Sequence, residues 1–112
     1  MALFEDREKA AERQFVREQE LAFRIGARRN KLLGLWAAGK MGLLGDAVAA
    51  YAQSVVDAAV AEPGDPALIR KVCGDLIARG LPVTEAEVDQ HLVMFAAAAR
   101  AQIVREPGGR HR

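Results

Sequence analysis

The sequence predicts an all-α protein, and three observations carry that expectation. Of 112 residues, 22 are Ala, the strongest intrinsic helix former, while Ile, Thr, Tyr and Trp are scarce. Apolar residues recur three and four positions apart through most of the chain. Clusters of Gly and Pro, with capping residues beside them, separate those periodic stretches. At this length one domain is expected, with a real but thin core, because Ala contributes little buried area to the 51% apolar fraction.

Punctuation gives four helices and a tail. The first is expected from near residue 5 to about residue 38 and ends at "GKMG", where Gly39 and Gly42 flank a break. The second starts at Asp46, read as an N-cap, and runs to Ala61. Val48, Tyr51, Ala52, Val55, Val56, Ala59 and Val60 form its apolar stripe. "EPGDP" stops the chain, since Pro63 cannot continue a helix. Asp65 then caps a third helix with Pro66 at its first position. Its face holds Leu68, Ile69, Val72, Cys73, Leu76 and Ile77, and it ends at Gly80 before Pro82.

Thr84 and Glu87 form a capping box for the fourth helix, with Val83 and Val88 as a hydrophobic staple. That helix continues through Leu92, Phe95, Ala99 and Ile103, and from Glu106 "EPGGRHR" reads as a disordered tail. Short connections favour antiparallel neighbours, hence a four-helix bundle. Its core is expected around Leu32, Leu35, Trp36, Tyr51, Val55, Leu76, Leu92 and Phe95.

The first helix reads as two unlike halves. Fourteen of residues 1–31 are charged, against seventeen of the remaining eighty-one. Leu21, Ile25, Leu32, Leu35 and Trp36 make a stripe broad enough to pack in the bundle. Before Leu21 the strongest apolar line is Phe4, Ala11, Phe15 and Ala22, roughly 80–100° around the helix from Leu32. The two halves are therefore expected not to share a burial face, and Phe4 and Phe15 to find their partner outside the intramolecular core.

Charge and motif content exclude several classes. A net charge of +1 argues against a general polyanion binder. The basic run "RIGARRNK" places Arg24, Arg28 and Lys31 on one face, with Arg29 displaced. Glu12, Glu18 and Glu20 upstream blunt its field, so no nucleic-acid partner is expected. One cysteine permits no internal disulfide and suits a reducing compartment.

The start lacks the apolar stretch of a secretory signal, and "LLGLWAAG" and "LVMFAAAA" are about half the ~20 residues a membrane span needs. A soluble cytoplasmic protein is expected. No metal-ligand spacing and no phosphate-binding loop appear. His91 reads as a partly buried or surface imidazole, Cys73 as a buried structural thiol, and Asp57 and Asp75 as solvated charges. No enzyme and no cofactor are expected.

"DREKAAERQF", "QELAFRIGARRNKLLGLWAA" and "EPGD" before "IRKV" closely resemble the zeta-type inhibitor subunit family of alphaproteobacterial F-type ATP synthases. The likeness runs strongly over about residues 4–81, and "ARRNKLLGLWAA" is its most specific piece.

The resemblance implies a four-helix bundle whose N-terminal arm inhibits ATP hydrolysis. It implies an arm that is mobile when free and helical inside the catalytic head, at an alpha/beta catalytic interface beside the central gamma shaft, where it blocks rotation in the hydrolysis direction. The enzyme would hold the subunit peripherally at the inner face of the cell membrane.

Carried over position by position, residues 1–19 form the arm, with Phe4, Arg7, Lys9, Ala11, Phe15 and Arg17 as partner-binding residues. Residues 20–105 form the bundle and residues 106–112 a flexible tail. Gly26, Arg28, Arg29 and Asn30 mark the junction, with Gly26 as a hinge. Regulation by an adenine nucleotide is left open. The rival reading is a helical adaptor or nucleotide-sensing module without inhibitory activity.

Overall fold

The computed structural model describes residues 2–106, with side chains from residue 5 onward. The side chain of Phe4 and the tail from residue 107, including His111, lie outside the described residues. Among the described residues there are four helices and no strand: α1 (Ala2–Lys40), α2 (Asp46–Ala61), α3 (Asp65–Ala78) and α4 (Glu85–Arg105). The 39 residues of α1, at ~1.5 Å each, account for most of the molecule's 66 Å long dimension, against 27 and 21 Å across.

The helix ends follow local chemistry. Gly42, with φ of 75°, closes α1: its N–H donates to the Gly39 carbonyl at 3.1 Å, and the Leu43 N–H donates to the Ala38 carbonyl at 3.0 Å. The helix thus passes through Gly39 and ends at Lys40, within the break that Gly39 and Gly42 were expected to flank. Gly80 does the same for α3, with the Leu81 N–H reaching the Leu76 carbonyl at 3.1 Å. The Thr84–Glu87 capping box is formed in both directions, and Val83 packs against the cluster that contains Val88.

Two expected caps are corrected. Gly45 and Gly64 occupy the N-cap positions of α2 and α3, neither with a side-chain cap. Asp46 and Asp65 instead fall in the first turn, where a carboxylate still complements the helix dipole.

The central element is α1, flanked by α2 on one side and α4 on the other, with α3 joining α2 and α4 and touching α1 less. The main core comprises Leu33, Ala37, Val55, Leu68, Val72, Cys73, Leu76, Val88 and Leu92, with Trp36, Tyr51 and Phe95 packed against it. Sealing an aliphatic side chain of this kind contributes about 1.5–3 kcal/mol. A smaller cluster of Ile25, Ala99 and Ile103, joined by Leu21 and Leu32, fastens α1 to α4.

The buried face of α1 differs from the expected stripe. Leu33, Gly34, Ala37 and Ala38 are sealed, whereas Leu32, Leu35 and Trp36 are half-buried. Because α1 lies between two partners, its burial wraps around the helix. Gly34 abuts Ala52 of α2 and Trp36 stacks on His91 of α4, two positions ~200° apart.

This removes the premise that the two halves of α1 bury different faces. Phe15 and Leu33 are eighteen residues, ~5 turns, apart and lie on one line. The arm stays uncovered because α2, α3 and α4 have only 16, 14 and 21 residues, and none runs alongside it.

Smaller differences have the same origin. Val60 and Ile77 are exposed, since each outer helix of a small bundle buries only the arc that meets its neighbours. Asp75 is more than a solvated charge: one of its carboxylate oxygens accepts from Tyr51 Oη and from Lys71 Nζ, each at 2.8 Å.

Candidate partner-binding arm and its anchor

Every described side chain from residue 5 to residue 20 is exposed. Arg7, Lys9, Ala11 and Arg17 point to solvent, Phe15 is 61% exposed and Val16 52%. The only side-chain hydrogen bond of this stretch is internal, Gln14 Nε2 to Glu18 at 3.2 Å, and among the described residues no ion pair links it to the bundle. A second apolar line runs beside the first: Val16 and Phe23 are seven residues apart on nearly one bearing, and Phe23 is 71% exposed. Sequence reasoning passed over both, although the seven-residue spacing was a usable signal.

Burial starts at the junction. Leu21 and Ile25 meet Ala99 and Ile103, and there the arginines of "RIGARRNK" find partners. Arg28 donates to Gln102 Oε1 at 2.9 Å and to the Glu106 carboxylate, which also accepts from Arg24 at 3.4 Å. Arg29 donates through both terminal nitrogens to Asp65, at 3.0 and 3.4 Å, and through Nε to Oδ1 of buried Asn30 at 3.0 Å.

Glu106 follows the C-terminus of α4, where a carboxylate opposes the helix dipole. Two guanidinium groups offset that penalty. The basic cluster is thus an internal clamp, with its acidic partners 36 to 82 residues away in sequence. Matching i, i+4 pairs on two antiparallel helices, Arg24 with Arg28 and Gln102 with Glu106, are the pattern that gives it away.

Gly26, expected as a hinge, lies within unbroken helix. One interior Gly costs about 1 kcal/mol relative to Ala, too little to interrupt a helix held on its C-terminal side by packing.

The remaining polar groups serve structure. Burial first, and then the hydrogen bond and negative charge of Asp75, hold the Tyr51 hydroxyl above its ordinary pKa. The Lys71 ammonium lies 5.3 Å from the centre of the Tyr51 ring, so this trio ties α2 to α3. His91 stacks on Trp36 at 4.1 Å, with Nδ1 2.9 Å from the Glu87 carbonyl. Cys73 is buried, its thiol directed at the Val83 carbonyl. Among the described residues no cluster of three His, Cys, Asp or Glu could hold a metal, and no helix is long and apolar enough to cross a membrane. What the molecule presents is a solvent-surrounded amphipathic helix on a clamped base.

The family model described as ATPase inhibitor subunit zeta matches residues 1–102. Among curated proteins, nothing matches. One protein with a solution NMR structure is 44% identical, over 76% of this chain and 96% of its own, with a TM-score of 0.67.

Proposed function

Because the chain belongs to the ATPase inhibitor subunit zeta family, we propose that it inhibits ATP hydrolysis by an F-type ATP synthase through its N-terminal arm. Residues 1–19 enter an alpha/beta catalytic interface of the head beside the gamma shaft and block rotation in the hydrolysis direction. Residues 20–105 hold the arm's root, and the subunit acts at the cytoplasmic face of the membrane, where the head stands. It carries out no chemistry itself.

The observation that supports this reading is the uncovered half of α1. Phe15 and Val16 project from a stretch of α1 in which every described side chain is exposed. A helix without tertiary contacts is marginal in water, so the free arm frays and gains lasting order from a foreign groove. Helix-in-groove recognition uses anchors spaced along one face, and Phe4, Ala11 and Phe15 have that spacing. Arg7 borders the line, while Lys9 and Arg17 stand ~140° to either side of it, where they meet acidic groups outside the apolar floor of the groove. Burying Phe15 contributes about 2–3 kcal/mol, so Phe15→Ala weakens inhibition ~30-fold or more.

The test is the hydrolysis rate of the cognate catalytic head with added protein. Inhibition by the full chain, its loss on deleting residues 2–18 and its weakening in Phe15→Ala are expected. Unchanged hydrolysis with the full chain would instead mark a helical adaptor. Full inhibition by the deleted chain would take the arm out of the mechanism.

A further inference from the structure

The outer surface of α4 carries an apolar stripe that the inhibitory reading does not use. Its inner face, with Leu92, Ala99 and Ile103, is buried in the bundle. On the opposite side, Val93, Met94, Ala97, Ala101 and Val104 recur at helical spacing, and all five are exposed. Val93 is 66% exposed, and Met94 and Val104 are each 54%. Ala99 and Ala101 show the geometry: two residues apart, they stand ~200° apart around the axis. A surface helix normally has one apolar face, and α4 has two.

Charge tells what covers the second one. At ~100° per residue, no charged residue of α4 falls on the stripe. Asp89 and Arg100 lie along one edge, and Glu87 and Arg105 along the other. On each edge the acid is near the N-terminal end of the helix and the base near the C-terminal end.

When two copies of such a helix pair antiparallel about a two-fold axis, each edge meets the same edge of its mate. Asp89 of one copy then faces Arg100 of the other, and Glu87 faces Arg105, with Ala97 near the crossing where small side chains let the backbones approach. A parallel pairing would set like charges together. We infer that this face is a self-association surface, through which two copies of the chain pair antiparallel along α4.

The interface is isologous and small, with three large apolar side chains per copy, alanines between them and the uncharged Gln90 on the same line. So small an interface is a weak one, and a dissociation constant on the order of 100 µM is expected. Both arms stay free, because α4 offers the bundle and the second copy opposite faces.

Sedimentation of the full chain between about 10 µM and about 1 mM tests this directly. The weight-average mass should climb from one chain toward two. Ala97→Glu sets a charge at the crossing and should weaken association at least ~tenfold, with an unchanged thermal melt, since Ala97 is exposed.

Asp89→Lys and Arg100→Glu should each weaken it ~fivefold, the two-fold axis counting every exposed pair twice. The combined exchange should restore it to within ~twofold. A one-chain mass at every concentration would overturn the inference, as would failure of the combined exchange to restore pairing. Loss of binding to the ATPase head in Ala97→Glu, with wild-type protein monomeric throughout, would assign the stripe to the head instead.

Discussion

At Gly34 the absence of a side chain sets how closely α1 and α2 can lie. A Cβ built there would stand 2.6 Å from Cα of Ala52 and 3.2 Å from its carbonyl oxygen, and backbone cannot step aside as a flexible side chain can. Overpacking of this kind costs about 1–3 kcal/mol, and the better helix propensity of Ala returns less than about 1 kcal/mol. Gly34→Ala should therefore destabilise the bundle by about 1–2 kcal/mol in urea unfolding. Gly26 has nothing within 4 Å of the same position, so Gly26→Ala should add about 0.5–1 kcal/mol to helix stability.

Identical substitutions eight residues apart thus shift stability in opposite directions. Tyr51 supplies a pH signature. Its raised pKa means that the folded protein keeps the phenolic proton after the unfolded chain releases it. The contribution is fully present below the ordinary tyrosine pKa of about 10 and is lost as pH rises beyond it. Unfolding curves at successive pH values above 10 should show stability falling, and Tyr51→Phe should flatten that fall.

Among the helices, the clamp between α1 and the end of α4 is the contact that local pattern could not supply. Each i, i+4 pair was visible in sequence, but their meeting depends on antiparallel packing across 74 to 82 residues. Arg28 and Glu106 remain partly exposed, at 28% and 36% of the side chain, so solvent screening holds their coupling to about 0.5–1 kcal/mol. A double-mutant cycle with Arg28→Gln and Glu106→Gln should return that value, and a coupling near zero would show that Ile25, Ala99 and Ile103 alone secure the root.

The helices themselves were readable, because "EPGDP", "GLPVTEAE" and the three-and-four spacing are local signals. The sealed face of α1 was not, since a central helix buried on several sides loses the single-stripe pattern that periodicity detects. Leu33, among the most deeply buried residues, was hidden between Leu32 and Leu35 for that reason. The arm was recognised as exposed through its composition, while the bearing of its apolar line was misjudged along with the missing leucine.

Taken entire, the molecule joins a packed bundle to a projecting helix without a boundary in the backbone. Protection against amide exchange should reveal the boundary that the backbone conceals. It should be weak up to about residue 20 and rise steeply where Leu21 and Ile25 meet α4. Deleting residues 2–18 should remove helical ellipticity and leave the melting temperature within about 2 °C, because the described side chains of the deleted part, from residue 5 on, are all exposed.

An unbroken α1 also has a mechanical consequence. It is a cantilever: a sideways load at the tip reaches the clamped end as a bending moment that grows with the length of the overhang. While the arm is held helical, strain from such a load would thus concentrate at the arginine–glutamate clasp, far from the point of contact. Under load such a rod should give way there first, by loosening its mount.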